Sequence, residues 1–339
     1  MTVATKPPES PVVPLNTPVA PTQKPEEWAD SASRPLDALA VFLVIILCVS
    51  WGLNQVAVKL ALPDVPPVIQ ATIRAGGATL LLVMWMRFRA IPFDFRDGTL
   101  KPGLLIGILF TVEYILIYRG LLYTSASRSV VYLYTAPIFV AIGVRWFLPS
   151  DRFTTLQWIG LALSFAGIVL AFGEASPFAK PEQAIGNAMM LLAAIMAAGT
   201  TLVAKGTALS TAPFEKTLLY QLAIAFPLSA LGVIVLDEKI TVAPSAVSVA
   251  SLVFQTIWVV GITYLAWYAL VQKYSASRLA ALTFLTPLFG VAAGHLVLDE
   301  PLTPSFLIAV VLVTGGTFLP SLPLGTVIHY WRTTIRGKR

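Results

Sequence analysis

From Leu36 onward the chain alternates between long apolar runs and short polar breaks. Ten runs, at 37–60, 66–88, 101–122, 127–148, 154–173, 184–207, 213–236, 246–272, 276–298 and 303–327, reach the ~20 residues a helix needs to cross the hydrocarbon core of a bilayer. The breaks carry turn chemistry: Pro63-Asp64-Val65-Pro66-Pro67, the stretch from Asp94 to Gly98, Pro149-Ser150-Asp151 and Asp299-Glu300-Pro301. Strands of a membrane barrel would be half as long and would alternate in polarity. The predicted fold is an all-α polytopic membrane protein with ten transmembrane helices.

Inside this pattern the passage at 124–172 recurs at 274–322. Ser125-Ala126-Ser127-Arg128 returns as Ser275-Ala276-Ser277-Arg278, and Pro137 and Phe139 return as Pro287 and Phe289. Tyr114 and Tyr118 return as Tyr264 and Tyr268, and the Asp151 to Thr154 stretch is answered by Glu300 to Thr303. The period is far too long for a solenoid unit and marks a duplicated chain. The predicted divisions are a Pro-rich tail at 1–35, a first repeat at 36–173, a second repeat at 184–327 and a basic C-terminus at 328–339. Each repeat holds five spans, and five is odd, so the second must enter the membrane the opposite way up. Two inverted-topology repeats let a carrier alternate its access around a midplane site. A duplicated scaffold with no transport role is the bland alternative, but it has no need of halves related by a pseudo-two-fold axis in the membrane plane.

Charge sets the orientation. Of the 23 Lys and Arg residues, seventeen fall on the tail, the even-numbered breaks with their flanking helix ends, and the C-terminus. Only Lys59, Arg128, Lys180 and Lys239 fall on the other side, with Arg74 and Arg119 inside spans. Both termini are therefore predicted to face the cytoplasm, which places a multi-pass protein in the inner (plasma) membrane. With 57% hydrophobic and 12% charged residues, and a mean hydropathy of +0.79, the chain has too few charges to coat a soluble core. The net charge of +6 does not form a basic stripe with interleaved aromatics, so no nucleic-acid partner is predicted. Eight prolines among the first 35 residues predict a disordered tail, with no signal-peptide pattern in it. Cys48, the single cysteine, lies in an apolar run and reads as a packing residue. No H-E-x-x-H, G-x-S-x-G or G-x-x-x-x-G-K-S/T occurs, so no enzyme, cofactor, metal site or direct ATP drive is predicted. The predicted partners are a small-molecule substrate and the lipid bilayer, for a monomer or homodimer.

Several short motifs then fall in a telling order: Trp51-Gly52-Leu53-Asn54, Lys59, Arg74, the Tyr-x-Ser-Ala-Ser entry at Tyr123, the Tyr-Ser-Ala-Ser entry at Tyr274, Pro137 and Pro287, and the acidic starts at Asp151 and Glu300. In this order, and in two copies, they resemble the drug/metabolite transporter superfamily, specifically its ten-helix EamA-type branch. The resemblance spans nearly everything after the tail. It implies an inner-membrane exporter or carrier of small metabolites, often amino acids or related compounds. Asp151 departs from the glutamate usual there, Ala309 stands where the first copy has Gly160, and Glu113 in mid-span is not part of the pattern.

Ionisable groups at membrane depth are costly, so each is a functional candidate. Glu113 and Arg74 lie at similar depth. Either they line the substrate path, with Glu113 also a candidate proton carrier, or they form a buried ion pair locking two helices. Lys59 and Arg119 sit close to span ends and can snorkel. His295 is the second proton-coupling candidate, and an intramembrane enzyme using Glu113 with His295 is the alternative function. Trp51 and Asn54 share one helix face, and Tyr114 and Tyr264 lie too deep for an interfacial belt. With Thr200, Thr201, Gln221 and Trp258 they complete the predicted substrate site. Trp267 adds surface nearby. Pro137 and Pro287 each free a carbonyl and kink a helix at matching places, as a gate or hinge would. One acid and one base at depth suit a zwitterion or neutral polar solute better than a sugar phosphate, which needs several converging cations.

Overall fold

The computed structural model describes residues 37–91, 94–147, 155–174, 181–274 and 285–319, together with Leu279, Leu282 and Thr283. The tail at 1–35, the Asp151 start, the second SASR at 275–278 and the C-terminus at 328–339 lie outside the described residues.

α1 (Ala38–Ala61) starts on Asp37, whose carboxylate accepts the Ala40 N–H at 2.8 Å and supplies one of the acceptors a helix start lacks. α2 (Pro67–Phe88) opens on a proline, whose missing N–H costs nothing at that position. α3 (Leu100–Gly120) follows, then α4 (Ala126–Leu133), capped by Ser125 through the Arg128 N–H at 3.1 Å. α5 (Ala136–Phe147), α6 (Thr155–Glu174) and α7 (Pro181–Gly206) complete the stretch up to a 3₁₀ turn at Ala208–Thr211. Beyond it come α8 (Phe214–Val235) and α9 (Ala246–Val253), which runs through a π-helical stretch (Phe254–Thr263) into α10 (Tyr264–Lys273). α11 (Thr286–Leu298) and α12 (Pro304–Phe318) end the described chain. Among the described residues there is no strand.

Among the described residues, six helical segments are long and apolar enough to cross a membrane: α1, α2, α3, α7, α8 and Ala246–Trp267. The fourth predicted span differs from expectation. It is two helices, α4 and α5, separated at Tyr134 and Thr135, instead of one kinked helix. Pro137 sits at the second position of α5, where its missing N–H and ring stop the preceding helix outright. α11 begins the same way, with Thr286-Pro287.

The two repeats pack chiefly on each other. α2 lies on α8, α6 on α12, α1 on α11, and α3 and α5 on α7. The α1–α11 crossing depends on glycine: a Cβ at Gly52 would sit 2.7 Å from the Gly290 nitrogen, so backbone meets backbone with no room for a side chain. Gly52→Val is accordingly expected to destabilise the protein by about 3 kcal/mol or more, the upper end of overpacking penalties. Thermal unfolding in detergent measures this, and a variant as stable as the parent would contradict the close crossing.

Candidate functional site

Between the repeats lies a cavity of about 440 Å³, within the roughly 300–1,000 Å³ range of small-molecule sites. Helical spacing puts each contributor on one face. Trp51, Asn54 and Gln55 come from α1, Arg74 from α2, and Phe110, Glu113 and Tyr114 from α3. Val130, Leu133 and Tyr134 add the end of α4, where the chain breaks before Pro137. The second repeat supplies Phe214, Leu218 and Gln221 from the first turns of α8, then Val259, Tyr264 and Trp267.

The two charges in this wall are treated differently. Arg74 is 4% exposed and donates to the Tyr114 hydroxyl at 2.9 Å and, more weakly, to Tyr118 at 3.5 Å. Its guanidinium also lies 4.4 Å from the centre of the Tyr114 ring. Glu113 has neither a hydrogen bond nor an ion pair among the described residues, so the ion-pair lock between α2 and α3 is not formed there. The arginine is held by phenols, and the carboxylate faces the cavity with no hydrogen bond or ion pair among the described residues.

From Arg74 a buried polar chain leads away from the cavity. The Tyr118 hydroxyl donates to Gln255 Oε1 at 2.6 Å, Gln255 Nε2 to Gln70 Oε1 at 3.3 Å, and Gln70 Nε2 to the Val65 carbonyl at 2.9 Å. Tyr118, Gln255 and Gln70 are fully buried. Asn54 Oδ1 and Gln55 Oε1, in the cavity wall, have no partner among the described residues; buried acceptors of this kind call for water or a ligand. Trp51 donates to Thr263 Oγ1 at 2.9 Å and meets Trp267 edge-on, ring centres 5.6 Å apart, which fixes one aromatic wall.

Seven of the ten residues predicted to bind substrate line this cavity: Trp51, Asn54, Arg74, Glu113, Tyr114, Gln221 and Tyr264. Thr200 and Thr201 do not; their hydroxyls turn back onto the Met196 and Ala197 carbonyls of α7. Trp258 also lies outside it, 38% exposed and bonded to Ser50 at 2.9 Å. His295 is at the far end of α11, its Nδ1 2.8 Å from the Glu300 carbonyl, and is not in the cavity with Glu113. Cys48 is fully buried with Sγ 3.5 Å from the Leu282 carbonyl, a packing position. Gln55, Phe110, Tyr134, Phe214 and Leu218 were not foreseen. For Gln55 the signal was present, as a carboxamide in mid-span beside Asn54. The apolar residues are indistinguishable from packing residues in the sequence.

Away from the cavity, two cations in the first turns of α8 and α4 are also spoken for. Lys216, 2% exposed, donates to the Asp94 carbonyl and to the Asp97 carboxylate. Burial pushes the Asp97 carboxyl up, but bonds from Lys216 and Thr99 outweigh it and hold it at about 2. The tie is thus intact above the ordinary carboxylate range and is lost only as pH falls through about 2. Arg128 is not free on the surface either: it donates to the Ala171 carbonyl at 2.8 Å and lies over the Phe306 ring.

A profile of the EamA-like transporter family matches residues 38–173 and again 184–322. A probable amino-acid metabolite efflux pump of Escherichia coli is 28% identical, over 84% of this chain and 94% of its own length. The uncharacterized transporter YvbV of Bacillus subtilis is also 28% identical, over 82% of this chain and 90% of its own length. A solved crystal structure, 20% identical, superposes with a TM-score of 0.60 over 83% of this chain and 97% of its own, which is a likeness of fold alone.

Proposed function

Because this chain belongs to the EamA-like transporter family, we propose that it is a secondary transporter exporting small metabolites such as amino acids by alternating access. The observation that carries this reading is a cavity built by both repeats, with a carboxylate that has no hydrogen bond or ion pair among the described residues, a tyrosine-held arginine and aromatic walls. In a low-dielectric setting such groups are worth keeping only where they meet a ligand or a proton. The name of the Escherichia coli relative points the same way.

Ten helices in two inverted repeats, with both termini cytoplasmic, supply the frame. Pairings consistent with an in-plane two-fold support it: the first span packs on the ninth (α1 on α11) as the sixth packs on the fourth (α7 on α5). In that frame the first turns of α8 face the cytoplasm, and the cavity opens toward Phe214. A zwitterion enters there. Its ammonium meets Glu113 and the Asn54 and Gln55 oxygens, its carboxylate meets Arg74 with Tyr114 and Tyr264, and its side chain rests on Trp51 and Trp267. The breaks before Pro137 and Pro287 flex as the cavity turns. Transport is driven by the solute's own gradient or by a proton carried on Glu113, with no cofactor.

Proteoliposome uptake decides the substrate class. Labelled amino acids are expected to show saturable flux, whereas a sugar phosphate and a quaternary ammonium compound are not. Flux of either of the latter with no amino-acid flux would overturn the assignment. The competing intramembrane-enzyme reading needs Glu113 and His295 together, and they lie in different places.

A further inference from the structure

A three-residue turn occurs twice, as Leu236-Asp237-Glu238 after α8 and as Leu298-Asp299-Glu300 at the end of α11. In both, the aspartate takes the left-handed backbone conformation, φ 50° and 52°, which Asp tolerates better than most side chains. The glutamate that follows is thereby turned onto a helix start in the other repeat. Glu238 Oε2 accepts the N–H groups of Val68 at 2.8 Å and Ile69 at 3.2 Å in the first turn of α2, while Oε1 pairs with Arg119 at 3.4 Å. Glu300, 7% exposed, accepts the N–H groups of Ala126 at 2.6 Å and Ser127 at 2.8 Å, and the Ser127 hydroxyl at 2.6 Å. Each carboxylate satisfies orphan N–H groups and meets the positive end of a helix dipole.

Asp64, in the turn between α1 and α2, forms a third tie of the same kind. It accepts the Ser245 N–H at 2.8 Å and the Ser248 hydroxyl at 2.6 Å at the start of α9, and those bonds hold its carboxyl below the usual carboxylate range. All three ties cross between repeats, and all three lie at one end of the bundle, where α1, α3, α8 and α11 finish and α2, α4 and α9 begin. The cavity reaches the opposite end, through Phe214 and Leu218 at the start of α8.

We propose that the two Leu-Asp-Glu hooks and Asp64 are a conformation-specific latch: they close this end while the cavity opens at the other, and release their helix starts together when the cavity reverses. The inference rests on the alternating-access reading. Capping bonds suit the task because water replaces them on release, which keeps the two states close in free energy. A Cβ at Gly294 would sit 2.3 Å from Ser127 Oγ and 2.5 Å from Glu300 Oε2, so the hook seats against bare backbone. The Arg74–Tyr118–Gln255–Gln70 chain ends on the Val65 carbonyl, one residue from Asp64, and so runs from the cavity to the latch.

The test reads accessibility, not flux. Leu133→Cys, in a Cys48→Ala background, places one thiol in the cavity wall. A membrane-impermeant maleimide is applied to right-side-out and to inverted vesicles. In the parent, labelling from the latch side is expected to be slow. In Glu238→Gln/Glu300→Gln it is expected to rise about tenfold or more, while labelling from the other side falls. Asp237→Val/Asp299→Val should do the same with both carboxylates intact, because a β-branched residue resists positive φ. Asp237→Gly/Asp299→Gly should behave as the parent. Unchanged latch-side labelling in monodisperse hook variants, or a rise in the glycine pair equal to that in the valine pair, overturns the latch. Missing amino-acid flux in the parent would sink the substrate reading alone, so the two failures are distinguishable.

Discussion

Glu113→Gln is expected to cut amino-acid flux into proteoliposomes by about 10- to 100-fold, the loss of one charged hydrogen bond at roughly 1.5–3 kcal/mol, while leaving thermal stability unchanged or raised. The carboxylate faces the cavity without a partner among the described residues, so neutralising it removes a desolvation cost and breaks no contact there. Arg74→Gln should behave differently. It abandons the Tyr114 and Tyr118 hydroxyls and the cation over the Tyr114 ring. Flux and stability should fall together, stability by about 1–3 kcal/mol for the buried groups left unmatched. The double variant should stay inactive, with a stability equal to or above that of Arg74→Gln, because the carboxylate left without the cation is removed as well. Recovery of flux in the double variant would mean a structural ion pair after all, and both residues would leave the site.

Gln255→Leu is expected to be among the most destabilising single changes away from the cavity. It strips the acceptor from Tyr118 and the donor from Gln70, all three groups being fully buried. Leaving two buried polar groups unsatisfied costs about 2–6 kcal/mol together. The asymmetry of buried hydrogen bonds gives a control: Gln70→Leu/Gln255→Leu removes one stranded partner and should regain part of the loss in thermal unfolding. Two substitutions that simply add would show that the chain is not a coupled network. Because Tyr118 also accepts from Arg74, the single variant should weaken flux as well.

Much of the cavity wall that forms the candidate site was legible in particular residues. Glu113, Arg74, Asn54 and Gln221 stood out because polar groups at mid-span are expensive, and all four line the cavity. Tyr114 and Tyr264 stood out by depth. Thr200, Thr201 and Trp258 were legible as polar or aromatic but not as to facing. Threonine in a helix can satisfy itself on the carbonyl one turn back, and Trp258 lies in the π-helical stretch, where the spacing of faces departs from 3.6 residues per turn. His295 looked like a proton site for its chemistry alone, and its position at the end of α11 removes it from the cavity.

That the chain is helical, membrane-spanning and made of two matching halves was determined by the sequence by itself. Apolar run length is dictated by bilayer thickness, and repetition is a property of the letters. Which charges meet was decided only by tertiary structure. Arg74 and Glu113 are 39 positions apart and similar in depth, yet the rotation of α2 and α3 gives the arginine to Tyr114 and Tyr118 and leaves the carboxylate to the cavity. Glu238 and Glu300 read as loop charges until the fold brings helix starts 170 and 174 residues away against them. Hydrogen bonds between distant segments depend on angles and offsets of a few ångströms, set by the packing of every helix at once, and no local pattern encodes them.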